Sequence, residues 1–189
     1  MLSDKLQVFK HNYENLKGVV HLASDPEEVS RVLVNYIDQI EPDRIVVARL
    51  PEAVEESLTQ ICGERGIQLV RPADAAVPMP AAVDGAQLGI SSAQYAIAET
   101  GTLLEIAEND AFRLVSTLPR VHISLIREQD LIATLDEAAP IIRKAFEENP
   151  QHCTVSFISG PSRTGDIAMQ LTLGVHGPQE SIVVVIRNS

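Results

Sequence analysis

Cysteine, basic charge and long apolar runs are all scarce in this chain. Its two cysteines, Cys62 and Cys153, stand far apart and outside any C-x-x-C pair. That gives no support for a disulfide framework, a zinc site or an iron–sulfur cluster, since two cysteines cannot by themselves complete an ordinary four-cysteine cluster site. Both are expected as free thiols, with Cys62 on the apolar stripe of a helix. Lysine and arginine number 15 against 26 acids, for a formal net charge of −11. So acidic a surface repels phosphate backbones, and nucleic acid is not an expected partner. No apolar run approaches the ~18 residues of a membrane helix, and the amphipathic start MLSDKLQVFKHNYENLKG lacks the apolar core and cleavage site of a signal peptide. The expectation is a cytoplasmic protein with no membrane insertion. No G-x-G-x-x-G follows a strand-like run, so no dinucleotide is signalled and no cofactor is expected.

What is present is enough apolar material, 45% of 189 residues, for one full core. Leu6, Phe9, Tyr13 and Leu16 recur at helical spacing and predict a helix from about Ser3 to Leu16. Set off by Gly18, that helix packs onto the body or, being terminal, against a second copy in a homodimer. Residues 1–18 are thus read as a helical unit and residues 19–189 as a single α/β domain. Val19 to Leu22 reads as a strand, and Asp25 with Pro26 starts a helix that runs to about Ile40. Arg44 to Ala48 is apolar and β-branched like a strand covered on both faces. A helix from Pro51 to about Arg65 and a strand from Ile67 to Val70 follow. This alternation predicts a doubly wound parallel sheet with right-handed crossovers.

Pro72 to Gly85 reads as an excursion broken by prolines, not as a domain boundary. Further strands are expected at Ala86 to Ser91, Leu103 to Ala107, Val121 to Ile126, Val155 to Ile158 and Ser181 to Arg187. Asn109 or Asp110 caps a short helix ending near Thr117. Leu131 to Glu148 carries helical periodicity, against which Pro140 is an objection unless it lies in a first turn.

Two stretches exceed what folding alone requires. The first, SGPSRTGDIAMQLTLGVHGP, holds Gly160, Gly165, Gly174 and Gly177 beside Ser162, Arg163, Thr164, Asp166 and His176. Glycines permit close backbone approach, and the hydroxyls and guanidinium can donate to an anion. Its opening imitates a P-loop, but Asp166 and Ile167 stand where the phosphate-binding lysine and the magnesium-binding hydroxyl belong, so nucleotide hydrolysis is a poor reading. Either the stretch is a binding loop, or it is two tight turns joined by a short helix. In the second stretch, small residues including Gly101 and Thr102 surround Glu99, which could meet a ligand or cap a turn through backbone N–H groups. His122 alternates with apolar strand residues, as a hydrogen-bonded core histidine would, and Arg113 and Arg120 are either anion ligands or solvated surface groups.

AETGTLLE at Ala98 to Glu105, LPRVHI at Leu118 to Ile123, GPSRTGDI at Gly160 to Ile167 and LGVHGP at Leu173 to Pro178 occur in an order that resembles the lactate utilisation protein C family, the LutC/YkgG type with a LUD domain. The resemblance extends over nearly the whole chain. It implies a Rossmann-like three-layer α/β/α sandwich of the NagB/RpiA/CoA-transferase type. It also implies a part in oxidising L-lactate to pyruvate, beside an iron–sulfur oxidoreductase and an iron–sulfur LUD-domain protein. Without cysteine-rich motifs, this chain resembles the small, cluster-free component.

The leading expectation is a non-redox subunit with a small-anion or partner site. Gly101, Thr102, Gly160, Ser162, Arg163, Thr164, Gly174 and Gly177 would bind, while Glu99, Asp166 and His176 would orient or transfer protons. The alternatives are an independent isomerase or acyl/CoA transferase using Glu99, which rests on fold analogy alone, and a purely structural adaptor. The two glycine-rich motifs are expected to converge at the carboxyl ends of parallel strands, where open α/β sheets leave ligand crevices.

Overall fold

Short runs that are apolar on nearly every residue form the middle of a six-stranded parallel sheet, because both of their faces are covered. The computed structural model describes residues 2–71, 80–81, 83–167, 170–173 and 177–187. The chain opens with helix α1 (Asp4–Asn15), then runs β1 (Val19–Ala23), α2 (Pro26–Ile40), β2 (Arg44–Ala48), α3 (Glu52–Arg65) and β3 (Gln68–Val70). β4 (Leu88–Ser92), β7 (Val121–Arg127) and β12 (Glu180–Ile186) complete the sheet, in the order β1-β12-β7-β4-β2-β3. Every pairing within it is parallel.

Local signals account for the helix boundaries. The Asp25 carboxylate accepts from Glu28 N at 2.8 Å to cap α2, and Asn109 caps α4 (Asp110–Thr117) through Phe112 N. Pro140 is the third residue of α5 (Ala138–Glu148), where a missing N–H costs no helical bond. The helix expected to begin at Leu131 therefore begins seven residues later than its periodicity suggests, and Leu131–Ile132 forms β8 instead.

A second sheet was not legible in the periodicity. It has the order β8-β5-β6-β9, with β5 (Tyr95–Ile97), β6 (Thr102–Ala107) and β9 (Thr154–Ile158). Beyond it, β10 (Arg163–Ile167) and β11 (Gln170–Leu173) pair antiparallel, so that stretch contains a hairpin and not the short helix that was one of its two readings.

One face of the parallel sheet packs on α2 and α3, through Val29, Leu33 and Ile37 and through Val54, Leu58 and Cys62. The other face meets α1 over β12, where Leu6, Phe9 and Tyr13 are fully buried beside Val183 and Val185. It also meets α4, whose Val115 lies against Val46 and Ala48. A Cβ on Gly89 would stand 2.2 Å from the Val115 carbonyl, so glycine is what lets α4 lie on β4. The small sheet carries α5 on its outer side, through Ile97, Leu104 and Ala138. The result is a three-layer α/β sandwich. Both cysteines are free thiols. Among the described residues no helix is long and apolar enough to cross a membrane, and no three His, Cys, Asp or Glu side chains are grouped to hold a metal ion.

Candidate functional site

The glycine-rich motifs do meet, but at the amino ends of the parallel strands. Thr102 Oγ1, after the β5–β6 turn, lies 2.8 Å from Ser159 Oγ, after β9. Ser162 N donates to Pro178 O at 2.8 Å, and Gln179 N donates to Arg120 O at 2.7 Å, just before β12 and β7 begin. The expectation of carboxyl ends is corrected here, because Arg120 and Pro178–Gln179 lead directly into β7 and β12 and so lie where those strands start. Only three residues separate α1 from β1, so its last turn lies beside the amino end of that strand. There it covers both loops. A Cβ on Gly101, whose φ is +60°, would stand 2.5 Å from Tyr13 N, and one on Gly160, with φ +79°, 2.6 Å from Leu16 O. Asn12 Nδ2 donates to both Ala98 O and Glu99 O at 2.9 Å. The Tyr13 hydroxyl meets Ser181 Oγ at 2.6 Å, and burial pushes the phenol up to about 12.

Some of the residues expected in this site have a structural role. Glu99 is exposed, and its carboxylate accepts from Leu135 N at 2.9 Å, the turn-capping role that was its alternative. Thr102 is buried, Ser162 half-buried and Arg163 exposed at the start of β10. Thr164 and Asp166 lie on β10, Thr164 pairing with Thr172. Gly177 approaches Ser162, whose Cβ would be 3.2 Å from an added Cβ. Gly174 and His176 lie outside the described residues.

The carboxyl ends hold a crevice of about 660 Å³ that these motifs do not line. From β2 the chain steps outward to β3, then returns to β4 and proceeds the other way to β7 and β12. The gap between β2 and β4 is therefore a topological switch point, where open α/β sheets bind ligands. Arg49, immediately after β2, stands at that gap with φ +57°, a left-handed conformation that costs a non-glycine residue roughly 1 kcal/mol or more. Its guanidinium donates to Ile106 O at 2.6 Å, lies 3.3 Å from Glu108 Oε1 and sits 4.5 Å above the Phe112 ring. Ser92 and Gln94 line the floor, and α5 supplies a wall carrying Ile141, Lys144 and Glu148. Arg127 pairs with Asp130 at 2.6 Å on the rim.

Beside the crevice, sharing Arg49, Ser92, Gln94 and Ile106 with it, is a recess of about 10 Å³ also lined by Ala48, Ser91, Glu105 and Phe112, room for one water-sized group. Glu105 comes from β6, whose alternation puts it on the same face as Leu103 and Ala107, opposite the Leu104 face that packs on α5. Only 4% of Glu105 is exposed. Burial raises its carboxyl to about 7, against the opposing pull of a hydrogen bond from Ser116 Oγ and the charge of Arg49. Behind the recess His122 is fully buried and bonded to Ser91 Oγ at 2.9 Å, the core histidine expected, with its pKa pushed down to about 4 by burial. Arg49 and Glu105 escaped the sequence reading as site residues. The available signal was a carboxylate on the inward side of an otherwise apolar strand.

The LUD domain family's sequence model matches residues 6–186. The chain belongs to the LUD domain family. Among its relatives, a "Lactate utilization protein C" of Shouchella clausii is 39% identical over 101 residues, 53% of this chain and 44% of the relative. Another of that name, from Anoxybacillus flavithermus, is 35% identical over 105 residues, 56% of this chain and 46% of the relative. The matched segment thus spans a little under half the length of these relatives. A solved DUF162 family protein from Deinococcus radiodurans superposes with a TM-score of 0.70 at 24% identity, covering 98% of this chain and 99% of that one. At that identity the likeness shows the LUD fold alone.

Proposed function

We propose that this LUD-domain chain works in lactate utilisation as a component without an electron acceptor of its own, holding a small ligand in the carboxyl-end crevice while iron–sulfur partner proteins carry the redox step. The lactate assignment draws on the relatives' shared name. The non-redox assignment draws on a sequence with two unpaired cysteines and no dinucleotide motif. The observation that carries the choice of site is Arg49, which, unlike Lys17 and Glu41 at the ends of α1 and α2, holds a left-handed conformation after a strand, at the switch point of the sheet. Strain of this kind persists where the surroundings over-determine it, and it clusters at ligand sites.

The earlier site, in which the glycine-rich loops bind a small anion, has less support. Gly101 and Gly160 are occupied in seating α1. An isomerase or acyl/CoA transferase built on Glu99 has less support for a similar reason, because that carboxylate already caps Leu135.

The test is lactate-dependent dye reduction by the purified chain, alone and with its iron–sulfur partners. Activity is expected only in the mixture, and Arg49→Ala is expected to reduce it at least tenfold. Turnover by the chain alone would overturn the component reading. A mixture indifferent to Arg49→Ala would remove the crevice from it.

A further inference from the structure

A net charge of −11 keeps copies of this chain apart, so a contact between two of them needs an uncharged surface. α1 does not supply one, because its Leu6, Phe9 and Tyr13 are buried against the chain's own sheet. β9 does. It closes one edge of the small sheet, and among the described residues no strand pairs with its outer side, which leaves a row of N–H and C=O groups for another strand. Sheet edges are commonly blunted by shortness, charge or proline. β8 and β3 are only two and three residues long, and β1 has a histidine at its centre that is bonded to Tyr36 of α2. β9 has five residues, TVSFI, with neither charge nor proline. No Asp, Glu, Lys or Arg stands between Glu148 and Arg163.

Apolar surface adjoins that edge. Val155 of β9 and Ile142 of α5 both pack on the cluster built on Ile97, Leu104 and Ala138. Phe157 shares the strand face of Val155, and Phe146 shares the helix face of Ile142, yet both rings are half exposed. Two of the chain's four phenylalanines thus stand in solvent where the layer under α5 reaches the surface. Aromatic side chains left in that position are characteristic of contact surfaces.

We propose that β9 pairs antiparallel with β9 of a second copy of this chain, joining two four-stranded sheets into one of eight strands across a twofold axis at Ser156. The strand is self-complementary in that register. Ser156 meets its own equivalent, and Val155 of each copy lies opposite Phe157 of the other on the side that carries α5. Thr154 lies opposite Ile158 on the inner side. An aromatic ring opposite a β-branched side chain is a favourable cross-strand pair. The flanks agree in charge, because antiparallel pairing runs the Glu148 flank of one copy beside the Arg163 flank of the other. A five-residue strand alone is smaller than the roughly 800 Å² a side of a stable interface. The contact therefore depends on Phe146 and α5 as well, and is reversible in the micromolar range.

Sedimentation velocity of the unsubstituted chain over the micromolar range tests this. A monomer should give way to a dimer, and to nothing larger, as concentration rises, because twofold pairing consumes the β9 edge of both copies. Phe157→Lys is expected to weaken dimerisation by roughly tenfold or more. It should leave the circular dichroism spectrum and thermal midpoint of the monomer unchanged, since the ring it removes is half exposed. Cross-linking in a Cys153→Ser background reads the register. Opposed Cα atoms of an antiparallel pair are about 4.5–5.5 Å apart, within the span of a disulfide. Ser156→Cys should therefore give a covalent dimer on mild oxidation, and Thr154→Cys should not. A chain that stays monomeric throughout would overturn the proposal and leave the edge to a different occupant, and a dimer indifferent to Phe157→Lys would overturn it too. So would a dimer that cross-links through Thr154→Cys in place of Ser156→Cys. The cross-link decides the matter even where Phe157→Lys fails to fold.

Discussion

The two ends of the parallel sheet differ in what their polar residues are doing. At the amino end, several groups that attract notice in the sequence are engaged by the chain itself, although the Thr100 hydroxyl, like that of Ser92, has no partner among the described residues. Asn12 bridges two carbonyls of the Ala98–Glu99 turn, Tyr13 meets Ser181, and Gly101 and Gly160 make room for the backbone of α1. At the carboxyl end, Arg49 is strained without ending a helix, as Lys17 and Glu41 with their positive φ do, Glu105 is buried with a raised pKa, and Ser92 Oγ has no partner among the described residues. A motif dense in glycine and hydroxyls can thus serve close packing, while a crevice with a strained cation at its mouth forms at the other end.

The contrast breaks most visibly with a side chain at Gly101. Gly101→Val would drive a Cβ into the Asn12–Tyr13 backbone at a positive φ, and should cost about 3 kcal/mol or more of stability by urea unfolding. If the amino end is scaffold, whatever fraction stays folded keeps its ligand affinity. A loss of affinity without a loss of stability would place the site there instead.

A comparable effect is expected from pH. The folded Glu105 carboxyl titrates near 7, well above the roughly 4.3 of an unfolded glutamate. The folded state therefore holds the proton more tightly. Its relative stability is greatest below about pH 4 and declines as pH rises through 7, by an amount on the order of 3 kcal/mol for this one group. Glu105→Gln removes that decline, so the stability difference between variant and parent should shift in the variant's favour from pH 4 to pH 8. Equal pH profiles would show that Glu105 is not the buried titrating group.

The smallest effect sharpens the comparison at Arg49. Arg49→Gly and Arg49→Ala both lose the guanidinium contacts, but only glycine relaxes the left-handed backbone. Arg49→Gly should be more stable than Arg49→Ala by about 1 kcal/mol. Equal stability would mean that no strain is held at the switch point.

Much of the fold could be read along the chain, because helix stripes, caps and β-branched runs are local. Asp25 and Asn109 cap the expected helices, the Arg44–Ala48 and Ser181–Arg187 runs enter the parallel sheet, and Pro140 sits in the one helical turn that tolerates it. The LUD resemblance was legible too, in four motifs in order. What covers those motifs was not. It is α1, folded back over the sheet through contacts between residues 86 and 144 positions apart: Asn12 with Ala98, and Leu16 with Gly160. Nor did the sequence single out Arg49, which looks ordinary among its neighbours in the chain, while Glu105 is marked only as a carboxylate within an apolar run. Only the juxtaposition of β2, β4 and β6 removes water from around that carboxylate and brings the guanidinium beside it. Local chemistry determined the elements; burial, a property of the assembled layers, decided which of their polar groups carry an energetic cost.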